Sequence, residues 1–387
     1  MKVLCVNATL DPVHGGGTAE RTFQLGRFLA RRGVKTRMLT MDVGITEQRR
    51  RELSNVELIA LPCINRRFFV PRGGLRKIRE AVVQSDIVHI MGHWTVLNAL
   101  VARAARQFGK PYIHCPAGAL PIYGRSQMLK RLYNRVCGNR IIGHAQSWIA
   151  ISPAEPAQLR EHGVSADRVV HIPNGIDPDA FRDAETEEFR RRHNLGNHPL
   201  LLFLGRLNSI KGPDLLLEAF LRCAQDHPEF HLVFAGPDSG MQSSLEQSVQ
   251  RAGLDERVHF VGFLGGVEKS QAYHAADLLV IPSRQEAMSI VVLEAGITGT
   301  PVLLTDQCGF NLVEDIQGGR VVPADVAGLE RGLRDLLANR DQLPNYGKRL
   351  ERFTLENYCW DSIVERHIHL FQKILAGENL PAGNVAA

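Results

Sequence analysis

The chain has 387 residues, of which 44% are hydrophobic and 22% charged, a composition typical of a globular protein with more than one core. No apolar run approaches the ~20 residues needed to cross a bilayer, and the first residues lack the basic lead and long apolar region of a signal peptide. The seven cysteines occur singly with no Cys-x-x-Cys, which disfavours disulfides and a zinc cluster and indicates a reducing compartment, the cytoplasm.

The formal charge of +5 is unevenly distributed. Residues 1–170 hold 26 Lys+Arg and 11 Asp+Glu, whereas the remainder holds 20 and 30. Between Ile87 and Ala154 there are eight basic residues and no acidic one. A basic half indicates an anionic partner, either a phosphorylated substrate or a membrane surface. Nucleic acid is disfavoured because no recognised binding module is present.

The first half of the chain alternates strand and helix patterns. Apolar runs predict strands at Lys2–Thr9, Val34–Met41, Val56–Leu61, Asp86–Met91, Pro111–Cys115 and Ser147–Ile151. Helical periodicity lies between them at Thr18–Arg32, Gly74–Val83 and Thr95–Phe108. Such alternation predicts a doubly wound parallel sheet with right-handed crossovers, so we assign residues 1–170 to a Rossmann-like α/β domain.

Proline, glycine and charge clusters in Ser152–Pro199 mark a domain boundary. The alternation then restarts, and we assign residues 190–355 to a second domain of the same class. Its predicted strands are Leu200–Leu204, His231–Ala235, Val258–Val261, Leu278–Ile281, Val302–Thr305 and Arg320–Val322. Its predicted helices are Pro213–Asp226, Gly240–Ala252, Lys269–Ala275 and Val326–Ala338. We expect the last helical stretch, Trp360–Leu375, to pack back on the first domain and across both.

A glycine-rich loop, His14-Gly15-Gly16-Gly17-Thr18, separates the first strand from the first helix. Glycines permit close backbone approach, and a helix start offers free N–H groups to an anion. The loop is neither Gly-x-Gly-x-x-Gly nor a Walker loop, which disfavours ATP hydrolysis. It is either a phosphate-binding loop or a plain tight turn.

A second loop, Leu204–Gly212, leaves the first strand of the second domain and enters a helix. Arg206 and Lys211 on this loop can converge on a phosphate beside the helix start. The alternative is a pair of solvated surface cations. We rank that lower because ligands of open α/β sheets bind at the carboxyl ends of strands.

Two further motifs are ambiguous or discounted. His114 ends a strand of the first domain, where a histidine is as often structural as ligand-binding. Asp177-Pro178-Asp179 has the spelling of a metal-binding Asp-x-Asp, but it follows the turn-like Asn174-Gly175-Ile176. No other acidic or histidine cluster supports a metal site, so we predict none.

Two carboxylates lie eight residues apart in Ile281–Thr305, a stretch that predicts a strand, a loop, a helix and a strand. Glu286 lies in the loop and Glu294 within a helix that starts near Ser289, so both can line one crevice. Glutamate at or within a helix is also ordinary, so the pair gains meaning only beside the other loops.

Taken together, these motifs resemble those of the retaining glycosyltransferases of family 4, also called glycosyltransferases group 1. The resemblance covers nearly the whole chain and depends on the order of its motifs, namely the glycine-rich loop, Pro173-Asn174-Gly175-Ile176-Asp177, Gly205-Arg206…Lys211-Gly212 and Glu286-x7-Glu294. It implies the GT-B fold, with two Rossmann-like domains facing each other across a cleft. The first would bind the acceptor and the second the nucleotide-sugar donor.

The resemblance implies roles for four residues of the second domain. Arg206 and Lys211 match the pair that binds the donor diphosphate. Glu294 matches the ribose-binding carboxylate, and Glu286 matches the residue that faces the donor sugar.

In the first domain, the resemblance matches His114 to the histidine near the transferred sugar. Gly16 and Gly17 match the backbone loop over the phosphates. The resemblance further implies a catalytic group of Glu286, His114, Arg206 and Lys211, with no metal and no cofactor besides the nucleotide-diphosphate sugar.

One departure concerns the loop after Glu286. The family usually has Gly-Phe-Gly there, whereas this chain has Ala287-Met288-Ser289. We expect this loop and Ile290 to contact the donor sugar and phosphate, so the departure bears on sugar specificity.

The predicted function is transfer of a hexose-type sugar, with retention, from a UDP- or GDP-linked donor to a hydroxyl of a glycan or lipid-linked acceptor. The setting we expect is synthesis of a bacterial surface polysaccharide or glycolipid. Two alternatives stay open: a sugar-nucleotide epimerase of the same general fold, and a catalytically silent partner that only binds a nucleotide sugar.

Basic and apolar residues occur at helical spacing in Arg125–Val136, and Arg66–Arg72 adds a basic aromatic patch. Such segments rest on anionic lipid at ~1 kcal/mol per Lys or Arg. We hypothesise a cytoplasmic enzyme that docks on the inner face of the plasma membrane through a basic patch of Arg125, Lys130, Arg131 and Arg135. The alternatives are a solvated basic face and a site for a soluble phosphorylated acceptor.

Overall fold

The computed structural model describes residues 1–122 and 126–378. Their contacts form two compact units, one of Met1–Asn174 with the segment from Trp360 onward, the other of Gly175–Cys359. Arg125 of the basic patch lies outside the described residues. Within the described ranges, no helix has the length and apolar character that a membrane crossing requires.

The first unit is built on a seven-stranded parallel sheet, flanked by a short antiparallel hairpin. Its strands are β1 (Lys2–Val6), β2 (Lys35–Met41), β3 (Glu57–Leu61), β4 (Cys63–Asn65), β5 (Val70–Pro71), β6 (Ile87–Met91), β7 (Tyr112–Cys115), β8 (Ser147–Ala150) and β9 (Val169–His171). The sheet order is β3-β2-β1-β6-β7-β8-β9, so the strand order reverses between β1 and β6. In α/β sheets this reversal opens a crevice at the carboxyl ends of the two strands.

Helices cover both faces of this sheet. They are α1 (Gly16–Arg31), α2 (Glu47–Glu52), α3 (Leu75–Val83), α4 (Val96–Gln107), α5 (Gln127–Tyr133), α6 (Asn139–Gly143), α7 (Glu155–Glu161) and the C-terminal helix (Trp360–Ala376). Aliphatic residues of α3, α4 and α6 pack with those of the strands in one buried cluster. The C-terminal helix packs on α1, where the rings of Phe28 and Trp360 stack with centroids 5.9 Å apart. Each such buried apolar side chain contributes ~1.5–3 kcal/mol.

The second unit repeats this design with six parallel strands in the order β12-β11-β10-β13-β14-β15. Its strands are β10 (Leu200–Leu204), β11 (His231–Ala235), β12 (Val258–Gly262), β13 (Leu278–Ile281), β14 (Val302–Thr305) and β15 (Gly319–Val322). Its helices are α8 (Thr186–Arg192), α9 (Pro213–Cys223), α10 (Gln242–Ala252), α11 (Gly266–Ala275), α12 (Ile290–Ile297), α13 (Leu312–Asp315), α14 (Val326–Ala338) and α15 (Leu343–Asn357). Here the strand order reverses between β10 and β13, which places their carboxyl ends side by side.

The predicted strands are all present, with ends shifted by three residues at most. The prediction missed β9 because it is short and lies in the stretch interpreted as a boundary. It also missed α15 and a π-helical turn, Asn134–Gly138, which joins α5 to α6. Single π turns of this kind are rare and occur often at functional sites.

The segment that ends the first unit is held by one buried arginine. Arg21 of α1 is 1% exposed and donates to the carbonyls of Ile172 and Pro173 and to Asn174 Oδ1. In the second unit, the Asp177 side chain accepts from the backbone N–H of Asp179 and caps a short 3₁₀ helix. Asp177 therefore has the turn role that the sequence indicated.

Candidate active site

The candidate donor site of the second unit lies where two loops leave adjacent strands. The loop after β10 carries Arg206 and Lys211 and enters α9, and the loop after β13 carries Glu286 and enters α12. Because β10 and β13 are neighbours at the reversal of strand order, both loops lie at the position where open α/β sheets bind ligands.

An ion pair joins the two loops. Lys211 Nζ lies 2.8 Å from Glu286 Oε1, and the two side chains are 24% and 10% exposed. Ser283, 1% exposed, donates its hydroxyl to the same carboxylate oxygen. Glu286 is thus fixed by one cation and one hydroxyl, which orients it without filling all its acceptor positions.

Arg206 differs from Lys211 in having no partner. Its side chain is exposed and makes no hydrogen bond or ion pair within residues 1–122 and 126–378. Nearby, Asn208 closes the loop, because its Oδ1 accepts from the backbone N–H of Lys211 at 3.0 Å. The loop therefore holds Lys211 firmly and leaves the Arg206 guanidinium open to an anion.

Two glycines hold the loops in close contact. Gly212 has φ +68°, and a Cβ there would lie 2.1 Å from the carbonyl oxygen of Pro282 on the other loop. Gly309 has φ +66°, and its Cβ would lie 1.9 Å from the carbonyl oxygen of Ala287. Only glycine fits such approaches. Gly212 thus joins the loop after β10 to the loop after β13, and Gly309, which follows β14, supports the loop after β13 from its other side.

The loop that departs from the usual Gly-Phe-Gly ends at a helix start. Ser289 precedes α12, is 0% exposed, and its Oγ has no hydrogen-bond partner within the described ranges. It does not cap the helix, so the first N–H groups of α12 have no side-chain acceptor. Met288 is 7% exposed and packs inward. The arrangement offers an uncapped helix start, beginning at Ile290, to an anion.

Glu294 lies on α12 and is held by residues of α11. Its Oε1 accepts from Lys269 Nζ at 2.7 Å and its Oε2 from the Tyr273 hydroxyl at 2.7 Å. The carboxylate is 5% exposed. Burial, together with this carboxylate, raises the pKa of Tyr273 well above its ordinary value, so the phenol remains a donor. Glu286 and Glu294 therefore belong to separate hydrogen-bonded groups, each with its own lysine.

In the first unit, the glycine-rich loop connects β1 to α1. Gly16 and Gly17 are exposed at the start of α1, and no atom lies within 4 Å of a Cβ built on Gly16, whose φ is +63°. Asp11 stabilises the loop, because its Oδ1 accepts from the backbone N–H groups of Val13 and His14. The loop is thus braced and its glycines are open to solvent.

His114 is fully buried within the first unit. Its Nε2 donates to the carbonyl of Gly92 at 3.0 Å, and its ring lies 5.4 Å from that of His93. Burial lowers the pKa of His114 to about 3, and His93 and His89 add to the effect. Its Nδ1 has no partner within the described ranges. At 0% exposure it does not reach a ligand in this conformation, which departs from the expectation that it lies against a sugar.

The described members of the basic patch lie on one helical segment. Lys130 and Arg131 belong to α5 and Arg135 to the π turn, and Arg131 and Arg135 are exposed. Neither arginine forms an ion pair within the described residues. The patch thus keeps an uncompensated positive charge.

Sequence reasoning missed the residues that orient the carboxylates. Lys269 and Tyr273 are four apart on α11 and so share a helix face, but no sequence signal paired them with Glu294. Ser283, beside Glu286, looked like an ordinary loop serine. No three or more His, Cys, Asp or Glu side chains of the described residues group closely enough to share a metal ion.

Comparison with known proteins places the chain in a family. The sequence model of "Glycosyl transferase 4-like domain" matches residues 16–175, and that of "Glycosyl transferases group 1" matches residues 185–353. The chain is 29% identical to a D-inositol 3-phosphate glycosyltransferase of Geodermatophilus obscurus over 295 residues, 70% of this chain and 65% of the relative. It is 32% identical to that of Nocardia farcinica over 220 residues, 54% of this chain and 49% of the relative.

The chain thus spans about half to two thirds of the length of these relatives. Among solved structures, HepE of Anabaena in complex with UDP and glucose superposes with a TM-score of 0.77 at 19% identity, covering 96% of this chain and all of that one. This likeness extends to the whole GT-B fold of two parallel-sheet α/β domains. With the two models matching consecutive parts of both units, the chain belongs to the glycosyl transferases group 1 family.

Proposed function

We propose that the chain is a metal-independent, retaining glycosyltransferase that moves a hexose-type sugar from a nucleotide-diphosphate sugar to a hydroxyl of a glycan or lipid-linked acceptor. The observation that carries the proposal is the Lys211–Glu286 ion pair, which joins the two loops at the reversal of strand order. It supports the proposal because Lys211, which we assign to the diphosphate, lies beside Glu286, which we assign to the donor sugar.

The leaving diphosphate is the main charge to be stabilised. When the sugar–phosphate bond breaks, negative charge develops on the diphosphate, and donors already in place lower the barrier. Arg206 supplies an open guanidinium, Lys211 an ammonium, and the uncapped start of α12 backbone N–H groups. Removing one such donor typically costs ~3 kcal/mol of barrier.

Glu294 suits a ribose. Each oxygen of the Glu294 carboxylate accepts one hydrogen bond, Oε1 from Lys269 and Oε2 from Tyr273. Each oxygen therefore has a further lone pair for a ribose hydroxyl. The lysine pairs with the carboxylate and the tyrosine fixes its plane. A nucleoside is therefore expected beside α12, with its diphosphate towards Lys211.

The acceptor side depends on the first unit. Its basic charge favours an anionic acceptor or surface, and the relatives named above act on an inositol phosphate. His114 takes no contact role in the proposal because it is buried. We assign docking on anionic membrane to the basic patch, and co-sedimentation with anionic vesicles at low salt tests it. Absence of binding would remove that part.

Binding of a nucleoside diphosphate tests the donor site. Calorimetric titration with UDP, GDP and ADP should give measurable affinity for one of them, and Lys211→Gln and Arg206→Gln should each weaken it about tenfold or more. Arg251→Gln is the matched control, since Arg251 is exposed on α10 of the same unit and its side chain donates to Gln247 and Ser248 of its own helix. Equal affinity in all variants would contradict the site.

Two other functions make different predictions. An epimerase would convert a donor without releasing the nucleoside diphosphate. A silent binding partner would bind the donor and leave it intact, and cellular glycan would be unchanged by Glu286→Ala.

A further inference from the structure

The first unit contains an apolar cavity that the donor chemistry does not use. Its volume is about 410 Å³, within the range of small-molecule sites. Its apolar and aromatic lining comes from three stretches of chain, and consists of Phe68, Trp94, Leu129, Leu132, Tyr133 and Val136. None of the described residues that line it is acidic.

The inner wall of this cavity is built and fixed. The Tyr133 hydroxyl lies 2.8 Å from the carbonyl oxygen of His93 and 2.9 Å from that of Thr95, and the Trp94 ring packs edge-on against Tyr133 with centroids 5.7 Å apart. The π turn begins at the next residue, where Asn134 Oδ1 accepts from His93 Nε2 at 2.8 Å. These contacts orient the Tyr133 ring along the wall of the cavity and pack the Trp94 ring against it.

Two cations lie among the lining residues. Lys130 Nζ is 5.4 Å from the centroid of the Trp94 ring, and Arg67 Cζ is 5.4 Å from that of Phe68. Arg67 also donates to the Ser126 hydroxyl, which ties the two stretches together. Because the described lining residues include two cations and no acidic residue, the lining carries a positive charge.

Two of the apolar residues that line the cavity are also exposed to solvent. Leu132 and Val136 are 57% and 59% exposed. Patches of this kind on a soluble surface mark interaction sites, and the cations alongside specify an anionic amphiphile. Inorganic phosphate alone would leave the apolar lining exposed to water. A neutral apolar ligand would form no ion pair with Lys130 or Arg67.

We propose that this cavity takes the hydrocarbon chain of a phosphate-bearing, single-chain amphiphile, with its phosphate against Lys130 and Arg67, and that this amphiphile is the glycosyl acceptor. The identification as acceptor rests on the proposed function. The binding site itself does not, since it lies wholly in the first unit and uses no donor residue.

The tryptophans provide a built-in reporter. Of the three, Trp148 and Trp360 are each 1% exposed in the core, and Trp94 alone among them lines the cavity. A dodecyl phosphate brominated along its chain, used below its micelle concentration, should therefore quench Trp94 on binding. Trp94→Phe should abolish the quenching, and loss of methylenes from the chain should weaken binding about fourfold each.

Two charge and shape controls sharpen the test. Dodecyl maltoside with a brominated chain should bind at least tenfold more weakly than the brominated dodecyl phosphate. In the double variant Lys130→Gln, Arg67→Gln, the two ligands should bind with nearly equal affinity. Leu132→Glu should reduce quenching at least tenfold. Met128→Glu changes a more exposed residue of α5 that does not line the cavity. In this variant the quenching should stay within about twofold of that in the wild type.

Several outcomes would overturn the proposal. These are no quenching by the phosphate amphiphile, equal binding of the neutral one, or equal loss in the Leu132 and Met128 variants. A dimer in sedimentation that Leu132→Glu dissociates, with no quenching, would assign the surface to a second copy instead. Nucleoside diphosphate binding, measured on the same samples, shows separately whether the donor site holds.

Discussion

At the scale of single residues, the donor loops combine one paired and one open cation. Lys211 is neutralised by Glu286 in the resting protein, whereas Arg206 has no partner within the described ranges. An arriving diphosphate would meet Arg206 first and then compete with Glu286 for Lys211. Under the proposed function, the ion pair would hold the lysine in place before a donor binds.

Glu294→Gln tests the ribose role. The amide loses the charge that Lys269 and the ribose hydroxyls contact, so nucleoside diphosphate affinity should fall about tenfold to a hundredfold. Calorimetry measures it. Glu314→Gln, which changes an exposed carboxylate on α13, is the control and should leave affinity unchanged. Unchanged affinity in Glu294→Gln would place the ribose elsewhere.

His89 gives a pH prediction for stability. It is 0% exposed, neither ring nitrogen has a partner within the described ranges, and burial, aided by the charge of Arg21, lowers its pKa to about 3. Because its ordinary pKa is 6.5, the unfolded chain binds a proton first, so stability is full above pH 6.5 and falls as the pH drops towards 3.

His89→Leu should remove this loss and raise the melting temperature at pH 5 by several degrees more than at pH 7.5, since the acid penalty at pH 5 is about 2 kcal/mol. Thermal melts across this range measure it. His369→Leu is the control. His369 is an exposed residue of the C-terminal helix, whose Phe371 packs against His89, and its replacement should leave the pH profile unchanged. Parallel profiles for wild type and His89→Leu would contradict the argument.

Residue roles were only partly accessible from sequence. Lys211 and Glu286 were predicted separately, and their contact was not, because pairing of two loops depends on strand order in the sheet. His114 was placed correctly at the end of a strand, yet nothing in its spacing indicated that its ring is enclosed by His93 and bonded to Gly92.

At the scale of elements, the candidate donor site depends on how closely two loops approach. Gly212 contacts the Pro282 carbonyl, and Gly236 makes a similar approach, since its Cβ would lie 1.9 Å from the carbonyl oxygen of Gly205. At such short distances, a Cβ atom added to either glycine would push the neighbouring loop out of its position.

Gly212→Ala should therefore damage both stability and donor binding. A left-handed alanine costs about 1–2 kcal/mol, and displacement of the Pro282 loop adds to it. Gly253→Ala is the matched control: its φ is +66°, it caps α10, and no atom lies within 4 Å of the added Cβ. We expect a small drop in melting temperature there with donor affinity intact.

In Gly212→Ala the drop should be larger and donor affinity should fall as well. Melting curves and calorimetry on both variants separate the two effects. Equal changes in the two variants would mean that the approach to Pro282 does not position the donor loops.

Elements themselves were largely predictable. The alternation of apolar runs with helical periodicity gave both parallel sheets, because buried parallel strands are nearly continuous in hydrophobic residues. The π turn at Asn134–Gly138 was not predictable, since its sequence has ordinary helical periodicity. Its first residue, Asn134, contacts His93, which is 41 residues away in the sequence, and local periodicity carries no signal of that contact.

At the scale of the whole chain, charge and chemistry are divided between the two units. The first unit contains most of the basic residues and exposed apolar side chains of the described chain, and the apolar cavity. The donor loops and both carboxylates lie in the second. The division is consistent with an anionic acceptor meeting the first unit and a nucleotide sugar meeting the second.

Donor turnover is the decisive measurement for this division of labour. Purified protein incubated with UDP-glucose, or with the donor that binds in calorimetry, should slowly pass the sugar to water when no acceptor is present. Proton NMR should then show free nucleoside diphosphate together with sugar that first appears in the anomeric configuration of the donor, and Lys211→Gln should slow both signals about a hundredfold or more. An epimerised sugar nucleotide, an intact donor after prolonged incubation, or a first product of inverted configuration would contradict retaining transfer at the Lys211–Glu286 site.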